Sequence, residues 1–198
     1  KKSKYSFSQF LKRFSIVKEE MQIDLDEFDL SYYTYGMSIY KNMPLIEPLE
    51  TKEVKKIYEF VIVLDTSYSI DENLAKRFIS NTYSILSTSN MFYKSCKVHI
   101  IQCDDRIRKD DVISNQNEMD RLLNSFSLIG GGNTDFRPVF SYVNDLINQK
   151  VFQNLCGLLY FTDGKGIYPK KSPAYKTAFI YLEDYDQSKV PSWAIQYR

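Results

Sequence analysis

The stretch FVIVLDTSYSI, residues 60–70, decides how this sequence is to be read. Phe60, Val61, Ile62, Val63 and Leu64 form an unbroken apolar run rich in β-branched side chains, the pattern of a strand covered on both faces. The run stops at Asp65, and Thr66, Ser67 and Ser69 follow at once. A turn needs no such density of oxygen. Three explanations compete: ligation of a hard cation, phosphate chemistry on Asp65, and capping of a following helix.

Working outward, the first run extends over 57–64, and similar runs occupy 97–103, 156–161 and 177–182, with a short last strand expected over 193–197. Helical stripes fill the gaps: Leu74, Phe78, Ile85 and Leu86 with Asp71 as N-cap; Met119, Leu122, Leu123 and Phe126; and Phe136, Val139, Phe140, Val143 and Ile147, with Pro138 in the first turn. Alternating strands and helices predict an α/β fold over residues 53–198, a doubly wound, mostly parallel Rossmann-like sheet with helices on both faces. Residues 1–52 read as an N-terminal extension. Phe7, Phe10, Leu11, Phe14 and Val17 predict a helix over 6–18. Residues 19–52 show no sustained period and read as a long loop, with an acidic patch (Asp24, Asp26, Glu27, Asp29) in solvent. The tyrosines 32, 33, 35 and 40 would lay this loop against the core.

The 198 residues are enough for one domain with an extension, and 43% hydrophobic with 26% charged residues is the balance of a folded globular chain. With 26 basic against 25 acidic side chains and no basic stripe, nucleic-acid binding is disfavoured. No apolar stretch approaches the ~18 residues of a membrane span. The start, KKSKYSFSQF, has neither an initiator Met nor the apolar core of a signal peptide, so the chain reads as a piece of a longer protein. Cys96, Cys103 and Cys156 match no metal-ligand spacing and read as reduced core residues of a cytoplasmic protein.

Ligands of doubly wound sheets lie beyond the carboxyl ends of the strands, where strand order reverses. Asp65 follows the first run, and Thr162 and Asp163 follow the third, on strands expected to be neighbours there. The loop GGGNTDF adds Gly130, Gly131 and Gly132, three of only seven glycines, and then Asn133, Thr134 and Asp135. Such a loop can swing close to the strand ends. The candidate set is Asp65, Ser67, Ser69, Thr134 and Asp163. All are hard oxygen donors, which favours Mg²⁺, with Mn²⁺ or Ca²⁺ as alternatives.

Asp-x-Ser-x-Ser after a strand, Thr in a glycine-rich loop, and TDG after a later strand resemble the von Willebrand factor A (VWA) fold and its metal-ion-dependent adhesion site. YTYG, NMPLIEPLE, FVIVLDTSYS, HIIQCD, GGGNTDFRPVF, LLYFTDGKG and VPSWAI resemble the bacterial VWA-like proteins grouped as a domain of unknown function, over nearly all of residues 5–198. Tyr68 stands where that group usually has Gly, and Asn133 where a further Gly is usual. The resemblance implies that Ser67, Ser69 and Thr134 touch the ion and that Asp65 and Asp163 hold it largely through waters. It implies a C-terminal half of a longer protein whose N-terminal half is similar to an inactivated metallopeptidase. It also implies a genomic neighbour of the MoxR-type AAA+ ATPase class. The partner would supply an Asp or Glu and would be that ATPase or a substrate it remodels.

Two other functions compete. A haloacid-dehalogenase-like phosphotransferase would use Asp65 as nucleophile but needs a general acid two residues on, where Ser67 stands. An inert scaffold would keep an unfilled site, with Tyr68 as its plug. Asp104 and Asp105 read as a solvated turn, Asp135 as a helix N-cap, Arg137 as a surface side chain, and the single His99 as a packed core residue. Ser-His-Asp and Cys-His catalysis are thereby disfavoured.

Overall fold

The computed structural model describes residues 2–41, 43–67, 71–88, 92–182 and 185–197. The chain divides into two compact units, Lys1–Ser15 with Ile57–Arg198, and Ile16–Lys56.

The larger unit is built on a sheet of β2 (Pro48–Asp65, through its second half), β3 (Phe92–Cys103), β4 (Ile107–Ile113), β5 (Leu155–Thr162), β6 (Thr177–Tyr181) and β7 (Ile195–Tyr197). Their order is β4-β3-β2-β5-β6-β7, parallel except for β4, which runs antiparallel to β3. The chain moves outward from β2 to β3 and β4, then returns to the other side of β2 as β5. Strand order therefore reverses between β2 and β5, as the sequence predicts, and the expected α/β sheet is present.

Alternation along the strands divides the core in two. Val61, Val63, Ile101, Leu158, Tyr160 and Phe179 face α5 (Arg137–Asn148), whose Val139, Phe140 and Val143 are buried against them. On the other face Phe161 stacks on Phe78 of α3 (Glu72–Thr88) at 4.1 Å, and Phe60 meets Phe14 edge-on at 5.4 Å. Asp71 begins α3 as predicted, its Oδ2 accepting the Leu74 N–H at 3.2 Å. Asn115 and Glu118 form a reciprocal cap on α4 (Gln116–Ser125). No helix among the described residues is long and apolar enough to cross a membrane.

Three expectations are corrected. The helix expected over 6–18 is α1 (Lys2–Leu11) followed by a 3-10 turn at Lys12–Phe14. Ser15 turns extended there (ψ 145°), and Val17 belongs to a strand. Phe7, Phe10, Leu11 and Phe14 are the true stripe. Second, β4 was not anticipated. Its sequence IRKDDVI is charged, which an antiparallel edge strand tolerates and a central one does not. Third, residues 19–52 are not a loop.

That third region lies in the smaller unit. β1 (Ile16–Phe28) pairs antiparallel with the first half of β2, from Ile16 opposite Lys56 to Phe28 opposite Pro48, and α2 (Leu30–Tyr40) lies between them. The acidic patch sits on β1 and at its end. Asp29 caps α2, its Oδ1 accepting the Ser31 N–H at 2.7 Å. Tyr32, Tyr33, Tyr35 and Tyr40 lie on α2, with Tyr32, Tyr35 and Tyr40 50%, 59% and 57% exposed. Met21, Ile23 and Leu25 alternate with Gln22, Asp24 and Asp26, a period-two signal that identifies β1 in retrospect. On α2 the only polar residues at helical spacing are the small hydroxyls Ser31, Thr34 and Ser38, set among tyrosines, so the contrast between faces is weak.

Candidate functional site at the strand ends

Parallel register brings the strand ends level: Asp65 lies opposite Cys103, and Leu64 opposite Phe161. Asp65 is fully buried. Its Oδ1 accepts the Ser67 N–H at 2.9 Å, and its Oδ2 accepts the Thr162 hydroxyl at 2.6 Å. Thr162 Oγ1 accepts in turn from the Gly164 N–H at 3.1 Å. Asp163 is 4% exposed, with Oδ1 accepting the Lys165 N–H at 3.0 Å and Oδ2 lying 3.5 Å from Lys165 Nζ.

The glycine-rich loop is tied to the residues that end β2 and follow β3. The Gly131 N–H donates to the Thr66 carbonyl at 2.8 Å and the Gly132 N–H to Asp104 Oδ2 at 3.2 Å. Gly131 has φ 110°, a conformation open to glycine. The Asp135 N–H donates to the Asp104 carbonyl at 3.0 Å, and the Phe136 N–H to the Ile167 carbonyl at 3.1 Å. A Cβ on Gly166 would meet Thr134 Cγ2 at 2.7 Å, so Thr134 lies directly on the TDGKG turn. The structure places Asp65 and Ser67 at the end of β2, Asp163 directly after the neighbouring β5, and Thr134 against the turn that follows Asp163. Ser69 and Tyr68 lie outside the described residues. Ser67 is 8% exposed, and Thr134 is half-buried.

Asp104 departs from its reading, while Asp135 at the start of α5, the exposed Arg137 and the buried His99 keep theirs. Asp104 is no solvated turn. It is fully buried and pinned by Arg108, with Nη2 to Oδ2 at 2.6 Å. Burial alone would raise its carboxyl, but the Arg108 guanidinium and neighbouring N–H groups hold it well below the usual range. Asp135 receives the Arg137 N–H at 3.0 Å and the Arg137 guanidinium at 2.6 Å, which lowers Asp135 and occupies Arg137. His99 is buried as expected, with Nδ1 2.9 Å from Asp110 Oδ2, which also accepts the Tyr142 hydroxyl. Sequence reasoning missed Thr162 as the partner of Asp65. The available signal was its position, one residue before Asp163 at the end of an apolar run.

The donors are chemically of one kind. Among the described residues, no three His, Cys, Asp or Glu side chains gather as a metal site. What converges is two carboxylates with hydroxyl oxygens, a set that fits a hard divalent cation and not a soft one. Phosphotransfer fits poorly. Each Asp65 oxygen already accepts a hydrogen bond, the group is buried, and Ser67 gives no acid.

Burial pushes the Asp65 carboxyl above its ordinary 3.8, and the Asp163 charge adds to the rise, against the opposing hydrogen bonds from Thr162 and Ser67. A raised folded-state pKa means that protonation is favoured in the native state. The stability it contributes is complete below 3.8 and is lost as pH rises through the folded value. In EDTA, Asp65→Asn should therefore melt above wild type at pH 7, and the gap should close toward pH 3. Equal melting temperatures across this range would contradict an Asp65 whose ionised form is penalised by burial.

No curated protein matches the chain. Proximal thread matrix protein 1 from the mussel byssus superposes with TM-score 0.50 at 11% identity, over 72% of this chain and 44% of its own. The same protein with a zinc-occupied MIDAS motif gives 0.49. A von Willebrand factor type A structure from Catenulispora acidiphila gives 0.46 at 10% identity (70% and 36% covered). The ArnB paralog VWA2 from Sulfolobus acidocaldarius gives 0.46 at 16% (87% and 46% covered). The chain spans less than half the length of each of these structures, and likeness at such identity speaks to fold alone. The family match is direct and covers residues 60–196, from the strand that ends in Asp65 to the last strand: the chain belongs to the VWA-like domain family DUF2201.

Proposed function

We propose that this chain is a cation-dependent docking module that captures an acidic side chain of a protein partner. VWA-like domains typically mediate protein–protein interaction. The observation that supports the reading is that two buried carboxylates, Asp65 and Asp163, stand at the ends of neighbouring parallel strands, with Thr134 against the turn that follows Asp163. Asp65 and Asp163 supply the negative charge, and Ser67, Ser69 and Thr134 offer neutral oxygens. Mg²⁺ is the favoured ion, with Mn²⁺ or Ca²⁺ as alternatives. A bound cation with mostly neutral direct ligands would keep much of its charge and offer a position to a partner's carboxylate. Without it, Asp65 and Asp163 repel the same partner, which makes docking switchable. The partner proposed is a MoxR-type AAA+ ATPase or a substrate of it, as the sequence resemblance implies. The three buried free cysteines support a reducing compartment, the cytoplasm.

Thermal unfolding with and without millimolar Mg²⁺ or Mn²⁺ tests the reading. At a hundredfold excess over Kd, binding to the native state stabilises by about 2.7 kcal/mol. For a chain of this size that is a melting shift of roughly 5–10 °C. Wild type should show it and Asp65→Ala should not. No shift in either protein, or the same shift in both, would sink the reading.

A further inference from the structure

We propose that Asp104 and Arg108 are a positioning pair that sets the loop carrying Thr134, an inference that rests on the docking reading above. Three buried carboxylates stand at the ends of adjacent strands: Asp65 on β2, Asp104 after β3 and Asp163 after β5. Asp104 differs from the others in what surrounds it. Its Oδ1 accepts the Asp105 N–H at 2.7 Å, the Arg106 N–H at 3.2 Å and Arg108 Nε at 2.8 Å. Its Oδ2 accepts Arg108 Nη2 at 2.6 Å and the Gly132 N–H at 3.2 Å. A carboxylate has about four lone-pair sites. These are taken, and the forked guanidinium offsets the charge. Asp104 is thus poorly suited to ligate a cation and well suited to hold backbone.

What it holds is specific. The Gly132 N–H binds its carboxylate, and the Asp135 N–H binds its main-chain carbonyl at 3.0 Å. These two donors flank Asn133 and Thr134, so both ends of the segment presenting the Thr134 hydroxyl are tied to one buried residue. Glycine at 132 permits the approach, since a Cβ there would lie 3.1 Å from Asp104 Oδ2. Arg108 reaches in from β4, the antiparallel edge strand. That strand supplies no candidate ligand, but it contributes to the site through this contact.

Asp104→Asn keeps the side chain's size but can turn the Oδ2 position into a donor facing the Gly132 N–H. The test measures Mn²⁺ affinity by electron paramagnetic resonance, and amide hydrogen exchange over residues 131–135, on the full chain. Removing an outer partner of a ligand typically weakens metal binding about 10–100-fold. Asp104→Asn should show that loss, together with faster exchange of the Gly132 and Asp135 amides. Gly132→Ala leaves the buried ion pair in place and should move both readouts in the same direction, which covers the case in which Asp104→Asn does not fold. In a Thr134→Ala background, Asp104→Asn should change Mn²⁺ affinity little, because it acts through Thr134. Unchanged exchange, unchanged affinity, or a full further penalty in the Thr134→Ala background would each overturn the positioning role. A wild type that binds no Mn²⁺ would overturn the docking reading and this role with it.

Discussion

Phe136→Ala is expected to cost about 3–5 kcal/mol of folding stability, the range for truncating a fully buried aromatic ring. Phe136 has no exposed surface, and its ring lies 4.8 Å from Tyr160, 4.7 Å from Tyr168 and 5.5 Å from Phe179. These partners come from β5, the loop after it and β6, so one side chain joins elements distant in sequence. Its own N–H is bound to Ile167, which couples α5 to the TDGKG turn. The void left by truncation would have Tyr160 and Phe179 as walls. Those rings stack on each other at 5.4 Å and have little freedom to fill it. Urea unfolding measures the loss, and a change below about 1 kcal/mol would show that the site collapses around the alanine or that the packing is misjudged.

Gly157→Ala is expected to destabilise by about 1–3 kcal/mol, at the upper end for one added methyl. Gly157 lies in β5, and a Cβ there would meet Phe14 Cε1 at 2.7 Å and the Lys176 carbonyl at 2.8 Å. The Phe14 ring is itself fully buried against Phe60, and Lys176 O accepts the Leu158 N–H, so neither neighbour can simply move aside. The substitution therefore tests whether the N-terminal segment through Phe14 is an integral part of the larger unit. Phe14→Leu combined with Gly157→Ala should recover part of the loss if the ring is the obstacle, a coupling that a double-mutant cycle reads directly. A fully additive result would place the strain elsewhere.

The positions of the candidate residues at strand ends and in the glycine-rich loop were legible because their signals are local. A carboxylate directly after an apolar run marks a strand end, and Asp65 and Asp163 both carry that mark. Three consecutive glycines before a helical stripe announce a loop that can approach another backbone, and Gly131 and Gly132 do so. The order reversal between β2 and β5 follows from alternating strands and helices. Other features left no such mark. β1 alternates over only a few residues, the polar side of α2 is only the small hydroxyls Ser31, Thr34 and Ser38, and the charges of β4 resemble a loop until β3 is placed beside them.

The sequence by itself determined the α/β sheet, its switch point and the oxygen-rich residues at the strand ends, because hydrophobic period and strand-end chemistry act over a few residues. Only the tertiary structure decided which polar group meets which. Thr162 donates to Asp65 from 97 positions away, and Gly132 donates to Asp104 from 28. Whether a given Asp is solvated, clamped or left charged in a crevice depends on the donors the fold brings within hydrogen-bond reach. The burial that raises Asp65, and the guanidinium that overcomes it at Asp104, exist only once the strands are assembled.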